Sequence, residues 1–241
     1  MKVILLCGGE GIRLKEDQDF RPKALIPVEG KPIIYNIMKH FSFYGIKEFI
    51  LCVDSKGKHI KDYFENTEIS DEEKENISRW NINVVVTGEC KTGARIFKTK
   101  KLVGEEDFIV SYSDVIADIN ISKLLVVHKT NYKILTMTGV HPTTPLGIIT
   151  QKDGSVTDFD VEAKSVDIVK GGYFVCRPAV FNYLSDDPNC TFEKNPLMKL
   201  IEEEEVALYN HDGFWKHFDS YKDINELIRL SKEENPSWKI Q

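Results

Sequence analysis

An apolar run that ends in glycines and cations makes the stretch Lys2-Val3-Ile4-Leu5-Leu6-Cys7-Gly8-Gly9-Glu10-Gly11-Ile12-Arg13-Leu14 the chemically suggestive part of this chain. The glycines let the backbone turn sharply and bring its N–H groups close to an anion with no Cβ in the way. Arg13 adds a planar, permanently charged fork suited to phosphate oxygens, and Arg21-Pro22-Lys23 supplies further cations on a stiffened loop. Together they predict a polyphosphate site. The spacing matches neither G-x-G-x-x-G nor G-x-x-x-x-G-K-[ST], so neither standard nucleotide template accounts for it.

Two carboxylates suggest a divalent ion. Asp114 follows the apolar run Phe108-Ile109-Val110-Ser111-Tyr112, and Asp219 follows the aromatic segment Phe214-Trp215-Lys216-His217-Phe218. Two carboxylates on rigid supports suffice for magnesium when phosphates and water fill its other positions. Each aspartate has a competing role as a helix cap. Ser122 is the better cap for a helix near Ile121, while Asp219 or Ser220 caps one near Tyr221. The six histidines show neither H-E-x-x-H nor a Cys/His zinc pattern, and read as surface or packing residues. No serine sits in a G-x-S-x-G elbow, and covalent catalysis has no local motif.

Composition narrows the classes. The chain has 241 residues, is 41% hydrophobic and 29% charged, and can bury a large core as one α/β domain. A net charge of −6 argues against a broad nucleic-acid or anionic-membrane surface, so a bound nucleotide is expected to be small and held locally. No apolar run approaches the roughly 20 residues of a membrane span, and the N-terminus enters a strand without a secretory signal pattern. Five scattered cysteines without a C-x-x-C pair fit a reducing cytoplasm.

The first half alternates strands and helices. Strands are expected near Lys2–Leu6, Glu48–Val53, Asn83–Thr87, Asp107–Tyr112 and Lys133–Val140, and helices near Pro32–Phe43, Lys58–Phe64, Thr92–Lys100 and Ile121–Lys129. The polar stretch Glu65–Ser78 reads as a solvated insertion. This rhythm predicts a doubly wound, mostly parallel, Rossmann-like sheet with helices on both faces. From Leu146 the pattern changes to a hairpin around Asp153-Gly154, a strand over Gly171–Cys176 and a mainly helical remainder, with short strand-like pieces near Ala207 and Phe214. Residues 1–140 would then form a nucleotide-binding core, and 141–241 an acceptor-binding and C-terminal part, within a single domain. Ligands in such sheets sit beyond the carboxyl ends of the strands.

Several separated segments, in order, resemble the sugar-1-phosphate nucleotidyltransferases, closest to their glucose-1-phosphate cytidylyltransferase branch. Gly-Gly-Glu-Gly-Ile-Arg-Leu and Arg-Pro-Lys resemble G-G-x-G-T-R-L and K-P-K, and Thr87-Gly88-Glu89 with Thr92-Gly93-Ala94-Arg95 resembles T-G-E…T-G-G-R. Tyr112-Ser113-Asp114, Asp118-Ile119-Asn120, Gly213-Phe214-Trp215 with Asp219, and Pro236-Ser237-Trp238-Lys239 match further motifs. The resemblance implies that Leu6, Gly8, Gly9, Gly11, Thr87, Glu89, Thr92 and Ser113 face the nucleotide. It implies that Arg13 and Lys23 act on phosphates, and that Asp114 and Asp219 hold Mg2+, with Mn2+ as a substitute. Gly147, Glu162, Lys164 and Gly172 would belong to the acceptor pocket.

The departures touch the phosphate and metal side and, most tellingly, the acceptor half. Ile12 replaces threonine, Ser113 replaces glycine, and the E-K-P lysine that grips the sugar phosphate is missing from Val161-Glu162-Ala163-Lys164, leaving Lys164 or Lys170 as substitutes. The resemblance therefore implies a CTP-dependent, pyrophosphate-releasing cytidylyltransferase with a non-standard phosphorylated acceptor such as L-glutamine phosphate, in capsule polysaccharide biosynthesis. Glucose 1-phosphate is the alternative acceptor, and a non-catalytic nucleotide-binding paralogue a further alternative. The segment between Phe64 and Trp80 is shorter than in the glucose enzymes, so their homo-oligomer contacts do not carry over directly.

Overall fold

Continuous apolar runs such as Lys2–Leu6 and Phe108–Tyr112 cannot tolerate a wet face, and they lie in the middle of a seven-stranded sheet with a core on each side. The computed structural model describes residues 1–8, 12–13, 20–55, 57–65, 69–143, 148–160, 165–232, 236 and 238. In chain order the strands are β1 (Lys2–Leu6), β2 (Ile12–Arg13), β3 (Phe20–Arg21), β4 (Pro27–Val28), β5 (Lys31–Pro32), β6 (Glu48–Val53), β7 (Asn81–Val86), β8 (Phe108–Tyr112) and β9 (Val115–Ala117). They continue as β10 (Leu135–Val140), β11 (Ile148–Lys152), β12 (Ser155–Asp160), β13 (Val169–Cys176), β14 (Val206–His211) and β15 (Trp215–His217). The helices are α1 (Ile33–Phe43), α2 (Lys58–Glu65), α3 (Asp71–Ser78), α4 (Thr92–Phe97), α5 (Lys100–Val103), α6 (Ile121–Asn131), α7 (Asn195–Glu202) and α8 (Tyr221–Ser231).

The sheet order is β14-β10-β13-β8-β1-β6-β7. Strand β1 pairs in parallel with β6 on one side and β8 on the other, and β6 pairs in parallel with β7. Strand β13 runs antiparallel to both β8 and β10, whereas β10 and β14 are parallel. The sheet is thus mixed and mostly parallel, and its later strands join the same layer as the first half. Leaving β1, the chain builds outward through β6 and β7, then crosses back to place β8 on β1's other flank. That reversal opens a crevice beyond the carboxyl ends of β1 and β8, where ligands bind in open α/β sheets.

Side-chain alternation splits the core. Val3 and Leu5 point to one face with α1, α6 and α8, while Ile4 and Leu6 point to the other with α4, α5 and α7. All four are 0–5% exposed, so β1 is anchored rigidly and its carboxyl end is a fixed point. Among the described residues no helix is long and apolar enough to cross a membrane.

Three local expectations need correction. The polar stretch Glu65–Ser78 is not a solvated insertion throughout: Ser70 caps α3, whose Glu73 is buried and accepts from Tyr63, while Asn76 donates to Tyr35. The helix expected over Thr92–Lys100 breaks into α4 and α5. Asn120, not Ser122, caps α6, with its side chain accepting from the Lys123 amide.

Candidate active site

Cys7-Gly8 follows β1, and Ser113-Asp114 follows β8, so both stand at the mouth of the crevice. A buried hydrogen bond from Ser113 Oγ to the Leu6 carbonyl (2.9 Å) ties the two loops together. They line a cavity of about 290 Å³ with Leu6, Cys7, Lys23, Cys90, Lys91, Thr92, Arg95 and Tyr112. The Cys7 thiol is pushed up to about 12 by burial, which keeps it neutral and a poor nucleophile.

Asp114 and Asp219, 105 positions apart in the sequence, meet through a short ribbon. Strand β15 pairs antiparallel with β9, setting His217 opposite Val115, and the Phe218 amide donates to the Asp114 carbonyl (3.1 Å). His217 Nε2 then lies 3.5 Å from Asp114 Oδ2 and 3.8 Å from Asp219 Oδ1. Lys23, in a short 3₁₀ turn after Pro22, forms an ion pair with Asp219. The Lys23 ammonium holds the Asp219 carboxyl below its usual range, and the hydrogen bond with Asp114 raises His217.

Single donor atoms of Asp114, His217 and Asp219 lie within 4.8 Å of one another. Two carboxylates and an imidazole are a donor set that suits a divalent cation of the magnesium and manganese class. The Lys23 ammonium drawn onto Asp219 shows that these carboxylates already attract positive charge. The residues therefore fit a metal.

The cavity's other wall differs from the sequence expectation. Thr87 is buried and its hydroxyl donates to the Val53 carbonyl (2.9 Å), while Glu89 accepts from Ser55 (2.8 Å); neither lines the cavity. Thr92 does line it, although its hydroxyl donates to Glu193 (2.7 Å) and accepts from the Phe192 amide (3.0 Å). Gly172 has φ +81°, and a Cβ there would press on Val115 and Tyr112, so it shapes the wall below β8. Beside it, Lys170 pairs with Glu193 (3.0 Å) and lies 4.9 Å above the Tyr112 ring; burial lowers its pKa.

Gly8, Lys23, Ser113, Asp114 and Asp219 are thus brought together as expected. Gly9, Gly11, Gly147, Glu162 and Lys164 lie outside the described residues, as does the side chain of Arg13. Arg95 and His217 are the site residues that sequence reasoning passed over. For His217 a signal existed: in a strand, positions 215, 217 and 219 share a face.

A model of the nucleotidyl transferase family matches residues 2–231. The chain belongs to the nucleotidyl transferase family. It is 36% identical over 253 residues, covering all of both chains, to the Bacillus subtilis (strain 168) protein described as "Probable glucose-1-phosphate cytidylyltransferase". It is 33% identical over 255 residues, with 99% of each chain covered, to the glucose-1-phosphate cytidylyltransferase of Salmonella typhimurium. Among solved structures, HddC from Yersinia pseudotuberculosis shares the fold at a TM-score of 0.72, with 19% identity over 96% of this chain and 99% of that one.

Proposed function

We propose that this nucleotidyltransferase transfers a cytidylyl group from CTP to a small phosphorylated acceptor and releases pyrophosphate. The meeting of Gly8, Lys23, Asp114 and Asp219 at one crevice carries the reading, because it pairs an amide-and-cation cradle with a metal-fitting donor set. Full-length likeness to glucose-1-phosphate cytidylyltransferases supports CTP as the donor.

The reaction is an in-line displacement at the α-phosphorus by an acceptor phosphate oxygen. That nucleophile is already ionised, so positioning and charge neutralisation dominate over proton transfer. Lys23 offsets charge on the α-phosphoryl, Arg13 offsets charge on the departing pyrophosphate, and the glycine turn donates backbone amides. Asp114 and Asp219 would hold magnesium or manganese, which when bound neutralises nucleotide oxygens and helps the leaving group. Thr92 and Ser113 border the nucleotide, and Gly172 the acceptor, with residues 141–241 supplying the acceptor side.

For the acceptor we favour a non-sugar phosphate such as L-glutamine phosphate, because the E-K-P lysine is absent and the charged Lys170–Glu193 pair stands beside the cavity wall. Glucose 1-phosphate is the second reading, favoured by the names of the relatives. Pyrophosphate release from CTP with magnesium or manganese, measured across a panel of phosphorylated amino acids and sugar 1-phosphates, tests both. Release with at least one acceptor is expected; none with any acceptor would leave only a nucleotide-binding protein. Asp114→Ala should lower turnover at least about 100-fold at unchanged melting temperature. Near-normal turnover would remove Asp114 from the metal site.

A further inference from the structure

We propose that His217 is a third protein ligand of the divalent cation, so that the site takes Mn2+ in preference to Mg2+ and binds it before any nucleotide arrives. The proposal deepens the nucleotidyltransferase reading above and rests on it.

Two carboxylates alone make an oxygen site. Such a site suits magnesium, which keeps several waters and leaves much of its shell to substrate phosphates. The sequence expectation of Mg2+, with Mn2+ as a substitute, rests on Asp114 and Asp219 only. His217 changes the donor set. Its Nε2 stands 3.5 Å from Asp114 Oδ2 and 3.8 Å from Asp219 Oδ1. Neighbouring donors on one ion, each roughly 2.1 Å from it, are about 3.0–3.6 Å apart. A shared ion therefore asks for little movement of the three groups.

Strand pairing sets the imidazole in place. His217 lies opposite Val115, the residue after Asp114, and the next amide along, that of Phe218, donates to the Asp114 carbonyl (3.1 Å). Two residues earlier on β15, the Trp215 indole donates to the Gly171 carbonyl (2.8 Å), and its ring lies 12° from parallel with the imidazole. Ligands carried on paired strands are held more precisely than ligands on loops. A counter-charge for Asp219 is already supplied by Lys23, so neutralising that carboxylate does not require an imidazole. What His217 adds is a nitrogen donor. Magnesium favours oxygen ligands, whereas imidazole favours first-row transition ions, so the added nitrogen tips the choice towards manganese. A third protein ligand also leaves fewer positions for phosphates to complete. Asp219 and His217 keep 64% and 38% of their side-chain surface exposed, which leaves an open side for phosphate oxygens.

The test titrates tag-free protein with Mn2+ alone and with Mg2+ alone by calorimetry, at about pH 8, above the ordinary imidazole range. Electron spin-echo spectra of the bound Mn2+ then report whether nitrogen is coordinated. Wild type should bind Mn2+ at least about tenfold more tightly than Mg2+ and show nitrogen coupling. His217→Gln should lose the coupling and at least about tenfold in Mn2+ affinity, the lower end of what even an outer-shell partner is worth, with Mg2+ affinity within about threefold of wild type. Bound Mn2+ without nitrogen coupling in wild type overturns the proposal and makes His217 a counter-charge. So does coupling that survives in His217→Gln, or the absence of Mn2+ binding without nucleotide. Wild type grown with heavy-nitrogen histidine covers a variant that fails to fold: its coupling pattern should change, and an unchanged pattern overturns the proposal. Wild type that shows the coupling yet releases no pyrophosphate with any acceptor sinks the catalytic reading alone.

Discussion

Lys23, His217, Asp114 and Asp219 lie against one another across two loops and a ribbon, with Lys23 paired to Asp219 and His217 beside both carboxylates. Lys23 holds the Asp219 carboxyl below its usual range, and under the proposed function Asp219 would help hold a divalent cation while Lys23 would be available to phosphate. Lys170 is arranged differently. Its ammonium is half-buried over Tyr112 and paired with Glu193, whose second oxygen takes the Thr92 hydroxyl. A lysine partly stripped of water beside the cavity gains by meeting an anionic group on the acceptor. Lys170→Met should therefore raise the acceptor KM roughly 10- to 100-fold, the worth of one charge-assisted hydrogen bond, and leave the KM for CTP within about twofold. Steady-state kinetics with the acceptor found by the panel read this out. An unmoved acceptor KM would shift the role to Lys164. Glu89 and Thr87 show why residue roles carried over from motifs need geometry: both types match the family pattern, yet their side chains serve the loop after β6 and not the cavity.

At the scale of elements, α3 shows how a helix can be spelled in the sequence and still be overlooked. Ser70-Asp71-Glu72-Glu73 is a capping box: the Ser70 hydroxyl takes the Glu73 amide and the Glu73 carboxylate returns to Ser70. High charge density made the stretch look like a solvated loop, but one buried glutamate satisfied by Ser70 and Tyr63 fastens it. Ser70→Ala should cost about 1 kcal/mol, lowering the melting temperature by roughly 2–4 °C without touching turnover. A calorimetric scan that shows no shift would mean the box adds nothing to α3. Strands β1, β6 and β8 were legible because uninterrupted β-branched runs leave little choice but a buried parallel position. The antiparallel insertion of β13 between β8 and β10 was not, since pairing direction depends on partners far away in the chain. The ribbon of β9 and β15, three residues each, carries too short a pattern to announce itself, although it aligns the metal-fitting residues.

Across the whole molecule, the two cores clamp the sheet so that the crevice between β1 and β8 keeps its shape, and α1 and α6, on the same face of the sheet, each carry a buried imidazole. In the candidate site, Gly8, Lys23, Asp114 and Asp219 were readable because they sit in motifs with a recognisable order; that Asp114 and Asp219 touch one cluster is a long-range fact that spacing cannot express. The same burial has a consequence for acid stability. His40 Nε2 donates to the Ile119 carbonyl (2.8 Å) and its Nδ1 is buried without a partner among the described residues. His128 Nδ1 lies 2.8 Å from the Thr136 hydroxyl, and its Nε2 is 3.8 Å from Asp107. Burial lowers both pKa values, only partly offset by the Ile119 carbonyl for His40 and by Asp107 for His128. The unfolded chain then takes up protons near pH 6.5 that the folded chain refuses, so stability is complete above that pH and declines as pH falls below it. His217 works in the opposite sense, because Asp114 raises its pKa and its contribution fades as pH rises. Two refusing imidazoles against one accepting imidazole predict a net loss on acidification, at most about 1.4 kcal/mol per group and pH unit. Urea midpoints measured between about pH 7.5 and 5.5, above the carboxylate range, should fall with pH. His128→Asn, already less stable at the upper end, should lose less over the same interval; an equal or steeper loss would show that His128 is protonated within the fold.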